Sequence, residues 1–285
     1  MSATVLAAST LAPVYAGVEN GFFSEAGIDL ALTQAAPSAV VPAVVSGSTT
    51  FGYLAIPSIL LAASKDLPIK IVANAGASPD SPVVVPNASA VQTYADLAGK
   101  RIAVPNLGGL GQFAVVGALL NNGVDPAGVQ LLEVPFGDME AALDRGTVDA
   151  AWLIQPFAAL AEQHGKTRSL GSSVEAADMA AMGSAYFFTL DETVTKNPDM
   201  VGRFVDAVKR SNAYGLENVD EMVDIVPSFA QIPPEVLGPK LVSATYGEIP
   251  VDQLKRVNDF MVANGFLTKS VDVDALVWTG ATAGR

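Results

Sequence analysis

Two stretches of the chain repeat one local plan 99 positions apart. Gly47-Ser48-Thr49-Thr50-Phe51-Gly52-Tyr53-Leu54-Ala55-Ile56-Pro57 aligns without a gap on Gly146-Thr147-Val148-Asp149-Ala150-Ala151-Trp152-Leu153-Ile154-Gln155-Pro156. Each reads as a turn, a short strand with an aromatic near its end, and a proline able to open a helix. Upstream, Ala26-Gly27-Ile28-Asp29-Leu30 resembles Ala127-Gly128-Val129-Gln130-Leu131 at nearly the same offset. A chain that uses one βαβ plan twice is expected to build two similar lobes. Lobes with facing strand ends enclose a cleft suited to a small molecule.

The pattern around the repeat supports an α/β reading. Strands are expected over 4–8, 28–33, 51–54 and 69–75, with helices over 13–20, 39–46 and 57–64 between them. Ser78-Pro79-Asp80-Ser81-Pro82 is turn-rich and marks a boundary. The alternation then restarts, with strands over 101–104, 129–134 and 148–153 and helices over 94–99, 112–122, 138–145 and 156–164. Residues 185–189 read as a strand carrying the return crossing. Beyond it the pattern is helical. Asn197-Pro198 reads as a cap and first turn for a helix to about Tyr214 with the apolar stripe Val201, Phe204, Val205 and Val208. Further helices are expected near 218–226, 234–245 and 251–263, packed around one lobe and bracing the hinge. The expected organisation is one lobe from 1–80 with 188–285 and a second from 81–187.

Composition narrows the function classes. Half of the 285 residues are apolar, enough for two cores. The net charge of −13 opposes binding to a phosphate backbone, so no nucleic-acid partner is expected. There are no cysteines, so disulfides and thiolate metal sites are excluded. Uncharged runs cover 1–18, 30–64 and 102–124, but prolines and glycines break the longer two below the roughly 20 apolar residues of a spanning helix. Residues 1–18 lack the basic region of a signal peptide.

Chemistry-bearing motifs are few. The repeat places Tyr53 and Trp152 at matching strand ends, as opposite walls of one cleft or as core aromatics beneath a helix. Pro105-Asn106-Leu107-Gly108-Gly109-Leu110-Gly111-Gln112 follows a strand and opens a helix, so its N–H groups can receive carboxylate, sulfonate or phosphate oxygens. Gly109-x-Gly111-x-x-Ala114 with Glu133 downstream fits a dinucleotide fingerprint, but Pro105 and its neighbours separate strand from first glycine. The lone histidine, His164, ends a helix before Gly165, a position the helix dipole favours. A Ser-His-Asp triad would have to use it, and no G-x-S-x-G is present. Asp138 and Asp149 are the candidates for acid/base work, with capping or turn roles as the alternative. The expected cleft loops, 9–13, 34–38, 53–57, 105–112, 135–138 and 152–157, contain no Lys or Arg. An anion would rest on backbone N–H groups, Ser9, Thr10, Asn106, Gln112 and Gln155, or on Arg203 reaching in from the tail. A neutral or aromatic ligand would lie against Tyr53, Phe136, Trp152 and Phe157.

At this level the chain resembles the solute-binding proteins of ABC importers for nitrate, sulfonates, taurine and thiamine-pyrimidine precursors. The resemblance rests on Tyr15-Ala16, Gly21-Phe22-Phe23-Ser24-Glu25-Ala26-Gly27-Ile28, Val45-Ser46-Gly47 and Ala95-Asp96-Leu97-Ala98-Gly99-Lys100-Arg101-Ile102-Ala103-Val104. It continues through 121–126 and 141–152. It implies a two-lobed type II periplasmic-binding-protein fold, with mostly parallel sheets, two crossings, hinge closure and a helical C-terminal tail. It also implies a permease partner and an extracytoplasmic location, with the signal or lipoprotein segment outside this sequence. Carried over by position, the ligand loops are Ser9-Thr10-Leu11, Ala36-Pro37, Tyr53-Leu54-Ala55, Asn106 to Gln112 and Trp152 to Pro156; Tyr186 completes the expected set. Oxoanion-binding relatives often carry a hydroxyl residue after Gly at the second-lobe helix start; Leu107-Gly108-Gly109-Leu110-Gly111 has none, which favours a ligand with more apolar surface. The expectation is a monomeric, non-enzymatic receptor with neither cofactor nor metal. The alternatives are an enzyme on the same fold, as in the menaquinone pathway, and a dinucleotide-binding protein. Pyrimidine synthases of this fold rely on a cysteine-rich motif and a reactive histidine, and this chain offers only His164.

Overall fold

The two copies of the repeat form corresponding central strands of two five-stranded sheets. The structure, a computed structural model, describes residues 1–77, 81–179, 184–230 and 248–280. The first sheet contains β1 (Ser2–Val5), β2 (Ala31–Gln34), β3 (Phe51–Ala55), β4 (Ile69–Ala77) and β10 (Ser184–Leu190) in the order β2-β1-β3-β10-β4. The second contains β5 (Pro82–Pro86), β6 (Arg101–Val104), β7 (Gln130–Glu133), β8 (Ala150–Trp152) and β9 (Thr167–Ser172) in the order β7-β6-β8-β5-β9. The orders correspond strand for strand, with β3 matched to β8 and β10 to β5.

Each sheet is mixed. β1 runs parallel to β2 and β3, and β6 runs parallel to β7 and β8. The strands β10 and β5, by contrast, pair antiparallel with both neighbours. These two begin where the chain has just come from the other sheet. Their register sets the aromatic copies side by side with them: Phe187 opposes Tyr53, and Val83 opposes Trp152.

Helices α1 (Ala12–Glu19), α2 (Phe22–Glu25), α3 (Pro37–Val45) and α4 (Ile56–Ala63) belong to the first half. Helices α5 (Leu110–Asn121), α6 (Met139–Asp144), α7 (Phe157–His164) and α8 (Ser173–Ala176) follow. The tail supplies α9 (Asp191–Lys196), α10 (Pro198–Glu217), α11 (Val219–Ala230), α12 (Val251–Ala263) and α13 (Val273–Leu276). The helix expected over 234–245 lies outside the described residues.

The strands β5 and β9 were not legible in the sequence. Prolines at both ends of β5 read as turn residues, although its valines are buried. β9 is a half-exposed polar edge with Gly171 at φ +96°, so it lacks a clear apolar alternation.

The tail helices pack on elements from both halves of the chain. In α10, Val201, Phe204 and Val208 are buried as expected, while Val205 is only partly covered. Phe204 stacks on Phe51 at 3.7 Å between centroids and meets Phe187 edge-on. Full burial of such a ring stabilises by about 2–3 kcal/mol. Asn197 does not cap α10 with its side chain; Pro198 supplies the first turn. On the far side, Leu254, Val257 and Met261 of α12 share one core with Ile59 and Leu60 of α4 and Phe113 and Ala114 of α5. Phe266 closes on Phe113 at 4.8 Å. Helix α11 packs its apolar face on α1 and reaches Phe157 and Leu160 of α7. Both helices therefore touch elements of both sheets.

Candidate functional site

A cleft lies beyond the carboxyl ends of strands from both sheets. From the first sheet come Leu6 and Ala8 after β1, Tyr53, Leu54 and Ala55 at the end of β3, and Ser58 in the first turn of α4. Ser9 and Thr10 form a short 3₁₀ turn ahead of α1, and Pro37 opens α3. From the second sheet come Pro105 and Asn106 after β6, Leu110 and Gly111 at the start of α5, Phe136, and Trp152, Ile154 and Gln155 after β8. Ala185 of β10 completes the wall.

The two aromatic copies are both core residues and cleft wall. Tyr53 packs in the first sheet's core and meets Phe187 edge-on at 5.7 Å. Its hydroxyl lies 2.6 Å from Thr10 Oγ1. Burial pushes the phenol up to about 12, against a smaller lowering by the Thr10 bond, so it stays protonated at neutral pH. Trp152 packs in the second sheet's core, and its indole N–H donates inward to Ser173 Oγ at 2.9 Å. The Ser173 hydroxyl donates in turn to the Ser81 carbonyl at 2.7 Å. Phe136 tilts against Trp152 and stacks on Phe157 at 5.0 Å. A backbone contact of 3.5 Å from the Ser9 N–H to the Gln155 carbonyl joins the two sides directly.

The glycine-rich turn is less open to a ligand than its sequence suggests. The Leu107 N–H donates to Glu133 Oε1 at 2.6 Å, and the Gly108 N–H donates to Gln112 Oε1 at 2.6 Å. The Asn106 amide donates to the Leu107 carbonyl at 3.1 Å. Gly111 has a steric purpose: a Cβ there would stand 2.7 Å from Trp152 Cε3, so only glycine lets the indole close on α5.

Several expected residues lie elsewhere. Leu11 is buried in the first sheet's core. Leu107 is half exposed to solvent, and Gly108 faces Leu61. The Gln112 side chain turns back on its own loop. Tyr186 is wholly buried on the opposite face of β10, beside Ser184 and without a hydrogen bond of normal geometry. The alternation of a strand explains this: Ala185 and Phe187 face one core, Tyr186 and Phe188 the other. Arg203 is exposed and points its guanidinium toward Gly27.

The acid/base candidates are not among the residues of the cleft wall. Asp149 precedes β8, at the end of the sheet opposite the cleft, and is held bidentately by Arg101 with bonds of 3.1 and 2.9 Å. That guanidinium, helped by the Arg101 N–H, keeps its carboxyl below the usual range. Asp138 is exposed at the start of α6. His164 pairs with Glu140 at 2.8 Å at the end of α7, ahead of the left-handed Gly165.

Chemically, the wall offers hydroxyls, two carboxamides and apolar surface. Among the described residues no Lys, Arg, His, Asp or Glu lines it.

Comparison with known proteins agrees with this geometry. The profile of a family described as NMT1/THI5 like matches residues 8–222. The 4-amino-5-hydroxymethyl-2-methylpyrimidine phosphate synthase of Legionella pneumophila is 24% identical over 219 residues, 75% of this chain and 68% of that protein. The taurine-binding periplasmic protein of Escherichia coli is 27% identical over 191 residues, 66% of this chain and 58% of that protein. Among solved structures, the ligand-binding component of an ABC-type import system from Staphylococcus aureus superposes with a TM-score of 0.83 at 17% identity, covering 98% of this chain and 96% of that one. The fold is thus that of the periplasmic binding proteins.

Proposed function

The chain belongs to the NMT1/THI5-like family, and from that premise we propose that it is an extracytoplasmic receptor for a small organic solute. It captures its ligand in the cleft between the two sheets and passes it to the permease of an ABC importer. The observation that carries this reading is the cleft itself: strand ends of both sheets converge on one cavity, and among the described residues no charged side chain lines it. Such a wall can bind and orient a molecule, and its described residues include no side chain suited to moving a proton at neutral pH. The location rests on relatives such as the taurine-binding periplasmic protein. Among the described residues no helix is long and apolar enough to cross a membrane.

In this reading the receptor acts as a monomer with two lobes, each built on one sheet. The strand β10 pairs along its length within the first sheet, so in this reading it belongs to the first lobe. Ligand touching Tyr53 on one side and Trp152 on the other favours the closed arrangement through its differential affinity for it. Ser9, Thr10, Asn106 and Gln155 orient it.

The second reading, an enzyme on the same fold, draws on the relative named as a pyrimidine phosphate synthase. It requires a reactive group that the described residues of the cleft wall do not offer: the chain has no cysteine, and His164 is engaged with Glu140 away from the wall. Native mass spectrometry of the purified protein, followed by denaturation and identification of the released molecule, separates the two. A molecule recovered unchanged supports the receptor; catalytic turnover of it overturns that reading.

A further inference from the structure

The hydrogen bond from the Trp152 indole to Ser173 is one link of a longer chain. Trp152 lines the cleft, and its ring is held from several sides. At the edge away from the nitrogen, helix α5 comes so close that a Cβ on Gly111 would stand 2.7 Å from Cε3. Phe136 tilts against the ring at 6.0 Å between centroids. At the nitrogen, the N–H donates to Ser173 Oγ at 2.9 Å. Ser173 is fully buried, opens α8 and is not among the residues lining the cleft. Its hydroxyl donates onward to the Ser81 carbonyl at 2.7 Å, and its backbone N–H donates to the same carbonyl at 2.9 Å. Ser81 is also fully buried and stands directly before β5, the strand by which the chain enters the second sheet. One hydroxyl thus gives its proton to the crossing and accepts the only side-chain donor of the wall ring. Bonded on both sides, it has one orientation, so the ring and the crossing carbonyl hold each other in place.

We propose that Ser173 is a positioning residue of the cleft: its hydroxyl fixes the Trp152 ring and transmits displacement of that ring to the crossing at Ser81. The proposal deepens the receptor reading, in which a molecule touching Trp152 favours the closed arrangement. Ser173 then supplies the physical contact between the ring and the segment joining the lobes. A backbone route runs beside it, from the Leu153 N–H to the Pro82 carbonyl at 2.9 Å. The side-chain route is distinguished by its dependence on one hydroxyl. Ser173→Ala removes that hydroxyl and leaves the backbone bond to Ser81 in place.

The test presses on the ring without any bound molecule. The full chain, isotope-labelled, is observed by NMR at pH 7, and Trp278→Phe identifies which indole signal belongs to Trp152. Gly111→Ala sets a methyl against the ring and is expected to move both the Trp152 indole signal and the Ser81 carbonyl signal. With Ser173→Ala added, the indole signal still moves, but the Ser81 response falls by at least about half, the backbone route carrying the rest. Ser173→Ala alone is expected to speed hydrogen exchange of the indole N–H by at least about tenfold. Asp149→Asn, a destabilising change outside this chain of bonds, leaves the Ser81 response unaltered, which separates positioning from a general loss of stability. Should Gly111→Ala fail to fold, Phe136→Leu disturbs the ring from its other neighbour. Should Ser173→Ala fail, Ser173→Cys, a weaker acceptor and donor, gives a smaller change in the same direction. A Ser81 carbonyl that ignores Gly111→Ala, or responds equally with and without the Ser173 hydroxyl, overturns the proposal. So does an unchanged indole exchange rate in Ser173→Ala, or an equal loss of the Ser81 response in Asp149→Asn. Neither readout involves a bound molecule, so the receptor reading fails separately, through turnover of the co-purified molecule.

Discussion

The indole N–H of Trp152 donates to Ser173 Oγ at 2.9 Å, so this tryptophan meets the cleft with carbon while its only side-chain donor is spent in the core. Its role at the wall is therefore shape and ring surface. Trp152→Phe keeps a ring but loses the N–H and some volume. We expect it to cost about 1–3 kcal/mol in urea unfolding. The only other tryptophan, Trp278, is tied to the first sheet, its backbone N–H donating to the Ile71 carbonyl. Ligand-induced changes in intrinsic fluorescence should thus vanish in Trp152→Phe and persist in Trp278→Phe; the reverse pattern would remove Trp152 from the wall.

Tyr53 makes stability fall at alkaline pH. Burial raises its phenol from 10.0 to about 12, so the folded state holds the proton where the unfolded chain has lost it. The contribution is fully present below pH 10 and is lost as pH rises toward 12, a change of about 2–3 kcal/mol. Tyr186, also raised to about 12 chiefly by burial, adds a similar decline. Unfolding free energies between pH 9 and 12 should drop less steeply in Tyr53→Phe than in the native chain. Equal slopes would contradict the assignment.

Asp149 separates structural from catalytic carboxylates. Its two oxygens accept from the Arg101 side chain and backbone, across the ends of β6 and β8. Asp149→Asn should lower stability by about 1–2 kcal/mol, kept modest because the pair is partly solvated, and leave ligand affinity unchanged. Because the folded carboxyl sits below its ordinary value, this stabilisation is present above about pH 4 and lost as pH falls further. Loss of binding in a folded Asp149→Asn protein would place the residue in the functional machinery after all.

Gly111 and Gly202 should respond to alanine in opposite ways. At Gly111 the new methyl meets the Trp152 ring at 2.7 Å and Pro105 at 3.2 Å, so the cleft wall must shift. We expect about 1–3 kcal/mol of destabilisation and weakened ligand binding. At Gly202, inside α10, an added methyl would meet nothing within 4 Å, and alanine there should stabilise by up to about 1 kcal/mol. Melting curves of the two variants check both signs.

Much of the cleft is legible in the sequence, for a local reason. The repeat, its prolines and the strand lengths are local properties, and they predict where each strand ends and each helix begins. Tyr53 and Trp152 could be named because strand ends of open α/β sheets face the ligand side. The uncharged character of the loops was equally readable, since it needs no partner. Tyr186 is a different case: only the register of β10 against β3 and β4 shows that Ala185 faces the cleft and Tyr186 the core.

The sequence by itself therefore determined the α/β class, the doubled plan and a cleft mouth without Lys or Arg, because periodicity and composition are carried by neighbouring residues. Only the tertiary structure decided which donors remain for a ligand. Glu133 reaches Leu107 across 26 residues, Ser173 reaches Trp152 across 21, and Arg101 holds Asp149 across 48. A hydrogen-bonding group shows its type in the sequence, but whether it is already satisfied depends on partners that only the folded chain brings within about 3 Å.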